Sequence, residues 1–480
     1  MTKEQLNNRL KKIEIEADRF YNDYREQMDL LEGSQLGKVR NAQGSGLTMY
    51  DYWALGKQLE AWDVYEAMVN EAGNVNQLGK IPTIAHDVIT AVQGVSILPI
   101  IASVQPIDDE RGSVYFKQVR SADTRGSQTA EDVVVDPRQN VVTPEGYANN
   151  VLDVEVVAAT VDATTNYSGT LTIFPVRAET LKLTTSIAGV EGLDVGPGEN
   201  PANPNIGRIF GSGISGTINY LTGDWDIDFE ANPGAGETVN FEYQQNFEAS
   251  SDIPKISTYF DSKTIQARIY ALKSTIGMLQ SFGLSKRFGM MGEEEMAKDL
   301  VAEINKEVGG DAIRKLRLNA QGSTTFSLTL PGGVSRFEHE LSWKKSLADA
   351  EAKLVGNAGR GTVNVLIVGR EQAGLIQTLP GFVKLFDGTS LGAHVYGTID
   401  GITVVRVTED ALLAAKEGVG LWKGLTPFEA ACVWSPFMPL TVTGVLPETP
   451  NPLVSQRAAA VWAGVDSLVP NFSTKLDLVA

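Results

Sequence analysis

The hydrophobic period of this chain changes twice, and its acidic charge is concentrated between the two changes. Leu6, Leu10, Ile13, Ala17, Phe20, Tyr24, Met28 and Leu31 recur three or four residues apart, the stripe of an amphipathic helix or short coiled coil that Gly33 ends. From Gly112 the period is two, and Val114-Tyr-Phe-Lys-Gln-Val reads as a strand leaving a compact region. Residues 144–252 hold sixteen Asp and Glu against three Lys and Arg, so most of the formal charge of −18 lies there. The helical period then returns in Met296, Leu300, Val301, Ile304, Val308, Ile313 and Leu316, behind the acidic Glu293-Glu-Glu that suits a helix N-terminus. Residues 1–40, with eight charges of each sign, are neutral. A shift that abrupt marks a domain boundary and predicts an α+β protein carrying an acidic all-β insertion over about residues 144–250.

Within that frame, Gln43-Gly-Ser-Gly is expected to be a joint, Thr48 to cap a second helix running to about Ala72, and Ile84–Val92 to form a third. Strand-like runs stand at Val151–Val157, Gly169–Phe174, Thr217–Tyr220, Trp225–Phe229 and Thr238–Tyr243, separated by clusters such as Gly196-Pro-Gly and Asn232-Pro-Gly-Ala-Gly, which suggests a small sandwich or barrel. The alternation of Ile265, Ala267, Ile269 and Ala271 predicts one long returning strand, and Gly309-Gly310 a kink or break in the following helix. Further on, helices are expected at Phe337–Leu354 and Glu371–Thr378, strands at Val363–Val368 and Ile402–Val407, and short strands over the last sixty residues.

Length and composition narrow the function. At roughly 150 residues per domain, 480 residues predict about three domains. The longest uncharged stretch, Val88 to Ile107, is broken by Gln93, Gln105, Pro99 and Pro106, which argues against a membrane span. The charged start lacks an apolar signal core, so the chain is expected to be cytosolic where it is made. One cysteine, Cys432, excludes an internal disulfide, and three scattered histidines, His86, His339 and His394, leave little for metal or histidine chemistry. The negative balance disfavours a surface built to neutralise phosphates.

The motifs that imitate chemistry read better as structure. Gly211-Ser-Gly213-Ile-Ser-Gly216 has the dinucleotide spacing but is followed by alternation rather than a helix. Asp224-Trp-Asp226-Ile-Asp228 starts like a calcium loop, yet Phe229 stands where glycine must bend the chain, so a solvated acidic strand edge is expected. Gly388-Thr-Ser390-Leu-Gly392 matches a nucleophile elbow, but His394 follows too closely to leave room for the acid. No catalytic, cofactor-binding or metal-binding residues are assigned.

Three stretches together resemble the major capsid proteins of tailed bacteriophages, particularly the T-even-like branch. They are Ile97-Leu-Pro-Ile-Ile-Ala-Ser-Val104-Gln105-Pro106 with Gly112-Ser-Val-Tyr-Phe; Ser257 to Val308, with Ala271-Leu-Lys273 and Ala302-Glu-Ile-Asn-Lys-Glu; and Gly361-Thr-Val-Asn-Val-Leu-Ile-Val through Leu379-Pro-Gly-Phe382, Gly401-Ile-Thr-Val-Val and Ala430-Ala-Cys-Val-Trp-Ser-Pro436-Phe-Met-Pro439-Leu440. Asp108-Asp-Glu-Arg111 departs from the shorter glycine-rich link of the family, and the acidic insertion is not a shared feature.

The resemblance implies the capsid shell fold, or Johnson fold, with no enzymatic step, no cofactor and a place in the virion capsid. Its parts would be an N-terminal helical arm (1–80), the start of a peripheral domain (81–120), an extended loop with the insertion (121–255), a returning strand and spine helix (256–355), an axial domain (356–450) and a return to the peripheral domain (451–480). Copies would form hexamers and pentamers in an icosahedral shell around double-stranded DNA bound without sequence specificity, with portal, scaffold, vertex or decoration proteins as further partners. Leu10, Ile13, Phe20, Val114 and Phe116 are the expected subunit-interface residues, although the N-terminal stripe also fits a helix packed on its own domain. Another phage structural protein, from the tail or the decoration, and an α/β enzyme are the alternatives.

Overall fold

The computed structural model describes residues 3–71, 85–123, 129–136, 151–160, 164–197, 204–250, 253–289, 292–386, 392–448, 451 and 453–479. It divides into a larger unit, Met1–Gln118 with Val135–Val141 and Thr258–Ala480, and a smaller one, Val119–Val134 with Val142–Ser257.

In the larger unit the first stripe folds as Lys3–Asp23 and Arg25–Gly33, not as one helix, because Tyr24 leaves helical geometry and its hydroxyl donates to the Asp63 carboxylate. Ser34 caps a further short helix, Gln35–Ala42. After the Gly44 and Gly46 joint, Thr48 and Asp51 exchange bonds across the start of Met49–Glu71: the Thr48 amide donates to the Asp51 carboxylate at 2.9 Å and the Asp51 amide donates to the Thr48 hydroxyl at 3.4 Å. Helix Ala85–Val95 follows.

Two sheets share the helical layer. The first runs Ser103–Val104, Cys432–Val442, Val454–Ser467, Arg268–Gly277, with Leu446–Pro447 beside Val454–Ser467. The second runs Gly322–Ser327, Ser473–Val479, Gly418–Leu421, Val365–Val368, Ile402–Val407, Ala393–Ile399, Phe382–Lys384. Val365–Val368 shows why its sequence has no alternation. Val365 and Ile367 join the core that holds the long helix, while Leu366 and Val368 join a second core under helices Trp343–Ala358 and Arg370–Thr378, so both faces are covered.

Helix Gly292–Asn319 runs 28 residues without interruption, and Leu300, Ile304, Val308, Ala312, Ile313 and Leu316 face the core. The expected break at Gly309-Gly310 is absent. Those glycines serve close packing instead, since a Cβ would stand 3.2 Å from Ile97 at Gly309 and 2.6 Å from Leu412 at Gly310.

Several other expectations need correction. The returning strand is two strands, Ile256–Gln266 and Arg268–Gly277, in different sheets; they part at Ala267, whose amide bonds the Glu110 carbonyl at 2.8 Å. Phe337–Leu354 divides at Ser342 into Arg336–Leu341, opened by a Ser335–Glu338 capping box, and Trp343–Ala358. The last sixty residues include two long strands, Cys432–Val442 and Val454–Ser467, rather than short ones only. Both sheets draw strands from residues 356–450 and from residues 451–480. Cys432–Val442 pairs with Val454–Ser467 in the first sheet, whereas the terminal Ser473–Val479 lies in the second, between Gly322–Ser327 and Gly418–Leu421.

Strands Ile256–Gln266, Arg111–Ser121 and Val133–Val135 form a three-stranded sheet in that order, so the leaving and returning strands are neighbours.

The smaller unit holds an eight-stranded antiparallel sheet ordered Val151–Ala159, Thr238–Gln244, Lys182–Thr185, Glu191–Pro197, Ile206–Ser212, Ile214–Asn219, Asp224–Phe229, Asn166–Thr170. Trp225 and Phe241 stand on its seventh and second strands with ring centroids 5.0 Å apart. In a flat sheet they would be separated by about 24 Å at about 4.8 Å per strand. The sheet therefore curls over its own apolar face, around Leu183, Ile209, Ile218, Trp225, Ile227 and Phe241.

Candidate assembly surface

Four of the five expected interface residues lie inside the chain's own core. Ile13 and Phe20 pack with Trp53, Leu55 and Leu59 of helix Met49–Glu71, and Phe20, 1% exposed, lies so close to Gly56 that a Cβ there would stand 2.2 Å from the ring. Val114 and Phe116, 0% and 1% exposed, are in the same core as Ile265. Leu10 is half-buried against Phe260 and Phe428. An apolar stripe specifies burial without naming the surface that provides it, and here the chain itself provides it.

Gln105, which the sequence marks only as part of a valine-glutamine-proline turn, has a defined structural task. Its amide nitrogen donates to the carbonyls of Tyr115 at 3.0 Å and Pro427 at 2.7 Å, and its oxygen accepts from the Tyr115 amide at 2.9 Å. One buried side chain thus ties the start of strand Arg111–Ser121 to the Pro427 loop.

The apolar surface left open in the larger unit is elsewhere. Helix Met278–Phe288 exposes Leu279 at 84% and Phe282 at 63%, with Met278 beside them. The Met278 amide donates to the carbonyl of Leu453, itself exposed, at 2.9 Å. The helix carries Lys286 and Arg287 in its last turn and ends on Gly289 in the left-handed region. Sequence reading missed this helix. Apolar residues at 278, 279 and 282 followed by a basic pair and a glycine were the available signal.

A second open feature is a groove of about 440 Å³ between helix Ala85–Val95 and helix Gly292–Asn319, lined by Ala91, Val92, Val95, Val301, Ala302 and Asn305 among others. At its margin Lys306 is held by Glu303 at 2.7 Å and Glu409 at 3.1 Å, and Lys298 by Glu295 at 2.7 Å.

The chemical look-alikes resolve as structure. Gly211–Gly216 forms the end of one strand, a left-handed turn at Gly213 and the next strand; a Cβ at Gly211 would stand 1.8 Å from the Glu191 carbonyl oxygen. Asp224, Asp226 and Asp228 share one exposed strand face, where Asn166 donates to Asp226 and Asp228 at 2.8 Å each. The Thr170 hydroxyl, then that of Thr222, donates to Asp224 and holds its carboxyl below the usual range. Gly388-Thr-Ser390-Leu lies outside the described residues. Cys432 is fully buried, and burial pushes its thiol up to about 12. No helix among the described residues is long and apolar enough to cross a membrane.

Residues 80–459 match the model of the family described as Major capsid protein Gp23, which spans well over half of the chain. The chain belongs to the Gp23 major capsid protein family. It is a structural subunit, many copies of which form the icosahedral shell of a bacteriophage virion. No curated relative matches the sequence. Among solved structures, the capsid of jumbo bacteriophage PhiKZ is 11% identical, with 79% of this chain and 91% of that chain covered and a TM-score of 0.40. The capsid of Myoviridae phage XM1 is 9% identical over 66% of this chain and 87% of that chain, with a TM-score of 0.31. A virus-like particle from Pyrococcus furiosus is 11% identical over 45% and 79%, with a TM-score of 0.30. Similarity at this level does not carry the assignment; the family match does.

Proposed function

We propose that this subunit has the capsid shell fold and assembles through hexamers and pentamers in the host cytoplasm into a shell that encloses double-stranded DNA without reading its sequence. In this reading the five-stranded sheet with helix Gly292–Asn319 is the peripheral domain and its spine, and the seven-stranded sheet is the axial domain. Strands Arg111–Ser121 and Ile256–Gln266 are the arms of the extended loop. The observation that carries it is the adjacency of those two eleven-residue strands, which leave and return around an inserted unit as the extended loop of such a subunit must. The acidic insertion faces outward, because packed DNA inside would repel its carboxylates. Portal, scaffold, vertex and decoration proteins are its further partners.

Protein expressed alone tests this reading by sedimentation. A capsomer species and a fast closed-particle species are expected, while a terminal species of two to four subunits contradicts it. The outward placement has its own test: a protease added to intact particles should cut at Asn232-Pro-Gly-Ala-Gly, and protection there until the particles are opened would reverse the assignment.

A further inference from the structure

We propose that helix Met278–Phe288 docks its apolar face in the groove between helices Ala85–Val95 and Gly292–Asn319 of a second copy of this chain. The inference rests on the shell reading, which requires each subunit to be surrounded by copies. The helix presents Leu279, Phe282 and Lys286 at i, i+3 and i+7, hence along one face, with Leu279 and Phe282 among the most exposed apolar side chains of the larger unit. The groove offers a complementary apolar lining from Ala91, Val92, Val95, Val301 and Ala302.

Charge fixes the occupant as this chain. Among the described residues Lys286 and Arg287 have no carboxylate partner, and Lys286 only lies over the Phe282 ring at 5.9 Å. On the groove, Lys298 and Lys306 are already paired, whereas exposed Asp299 has no ion pair among the described residues. Helix Met278–Phe288 is basic and free of acids, and a second copy of a chain of net charge −18 supplies the field that attracts it. A helix from one copy in a groove of the next is a heterologous contact, and such contacts propagate into rings and shells, whereas a self-complementary patch stops at a dimer.

Paired cysteines in the full chain test the contact directly, since Cys432 is fully buried and does not compete. Phe282→Cys with Val95→Cys, treated with a short bis-maleimide after assembly, should give a ladder of species beyond the dimer that neither single variant gives. Phe282→Cys alone yielding dimers as efficiently would show the helix meeting its own copy and overturn the proposal. An internal cross-link without a ladder, or assembled particles with no cross-link, would also overturn it. Independently, Leu279→Ser with Phe282→Ser should lower particle yield at least tenfold while circular dichroism is unchanged; full yield overturns the proposal. Failure of the unaltered chain to assemble is seen before any cross-linking and refutes the shell reading itself.

Discussion

Phe20 and Gly56 show how a single contact decides between two readings of a stripe. The ring occupies the volume that a side chain at 56 would need, so the N-terminal helix belongs to the body of the larger unit. Gly56→Ala should destabilise the protein by about 1–3 kcal/mol through overpacking, despite alanine's better helix propensity. Thermal unfolding measures this, and an unchanged midpoint would mean that Phe20 is free to move. His394 makes a second prediction. It is 4% exposed, neither ring nitrogen has a hydrogen bond among the described residues, and Arg406 stands opposite on the adjacent strand. Burial, then the Arg406 charge, lowers its pKa below the ordinary 6.5. The unfolded chain therefore binds the proton first as pH falls, and stability drops below about pH 6.5 by up to about 1.4 kcal/mol per pH unit from this group. In His394→Leu that part of the slope should vanish, as denaturant titrations at pH 7 and pH 5.5 would show. An identical pH dependence in both proteins would contradict the assignment.

At the scale of elements, the long helix and the curled sheet both depend on glycines that permit close approach. Gly310→Val would push a branched side chain into Leu412, and a loss of about 1–3 kcal/mol is expected in denaturant unfolding, where a neutral result would point to slack packing. Much of this level was legible in the sequence. Leu300, Ile304, Val308, Ile313 and Leu316 announced the helix, and Asp224–Phe229 the exposed acidic face, because local periodicity reports which face is buried. The unbroken apolar run at Val365–Val368 likewise marked a buried strand. Two things were not legible: the break at Ala267 depends on a bond to Glu110, distant in sequence, and the strands Lys182–Thr185, Glu191–Pro197 and Ile206–Ser212 lie among glycines that read as turns. That Ile13, Phe20, Val114 and Phe116 are buried by their own chain was not legible for a related reason. Periodicity gives burial, but whether a neighbour or the same chain does the burying is decided by tertiary contacts such as Phe20 on Gly56 and Val114 beside Ile265.

For the molecule as a whole, the net charge of −18 sets an expectation for the salt dependence of assembly. Subunits at −18 repel one another, and the screening length falls from about 30 Å at 0.01 M to about 8 Å at 0.15 M ionic strength. Light scattering should therefore show assembly slowed or blocked at the lower salt; an equal or faster rate there would count against a shell held by contacts between like-charged copies. This chain builds an icosahedral shell from copies of itself. Electron-microscopic reconstruction of the expressed, unaltered protein should show closed particles with six-fold and five-fold capsomers, and a discrete small oligomer with no shell under assembling salt would contradict that.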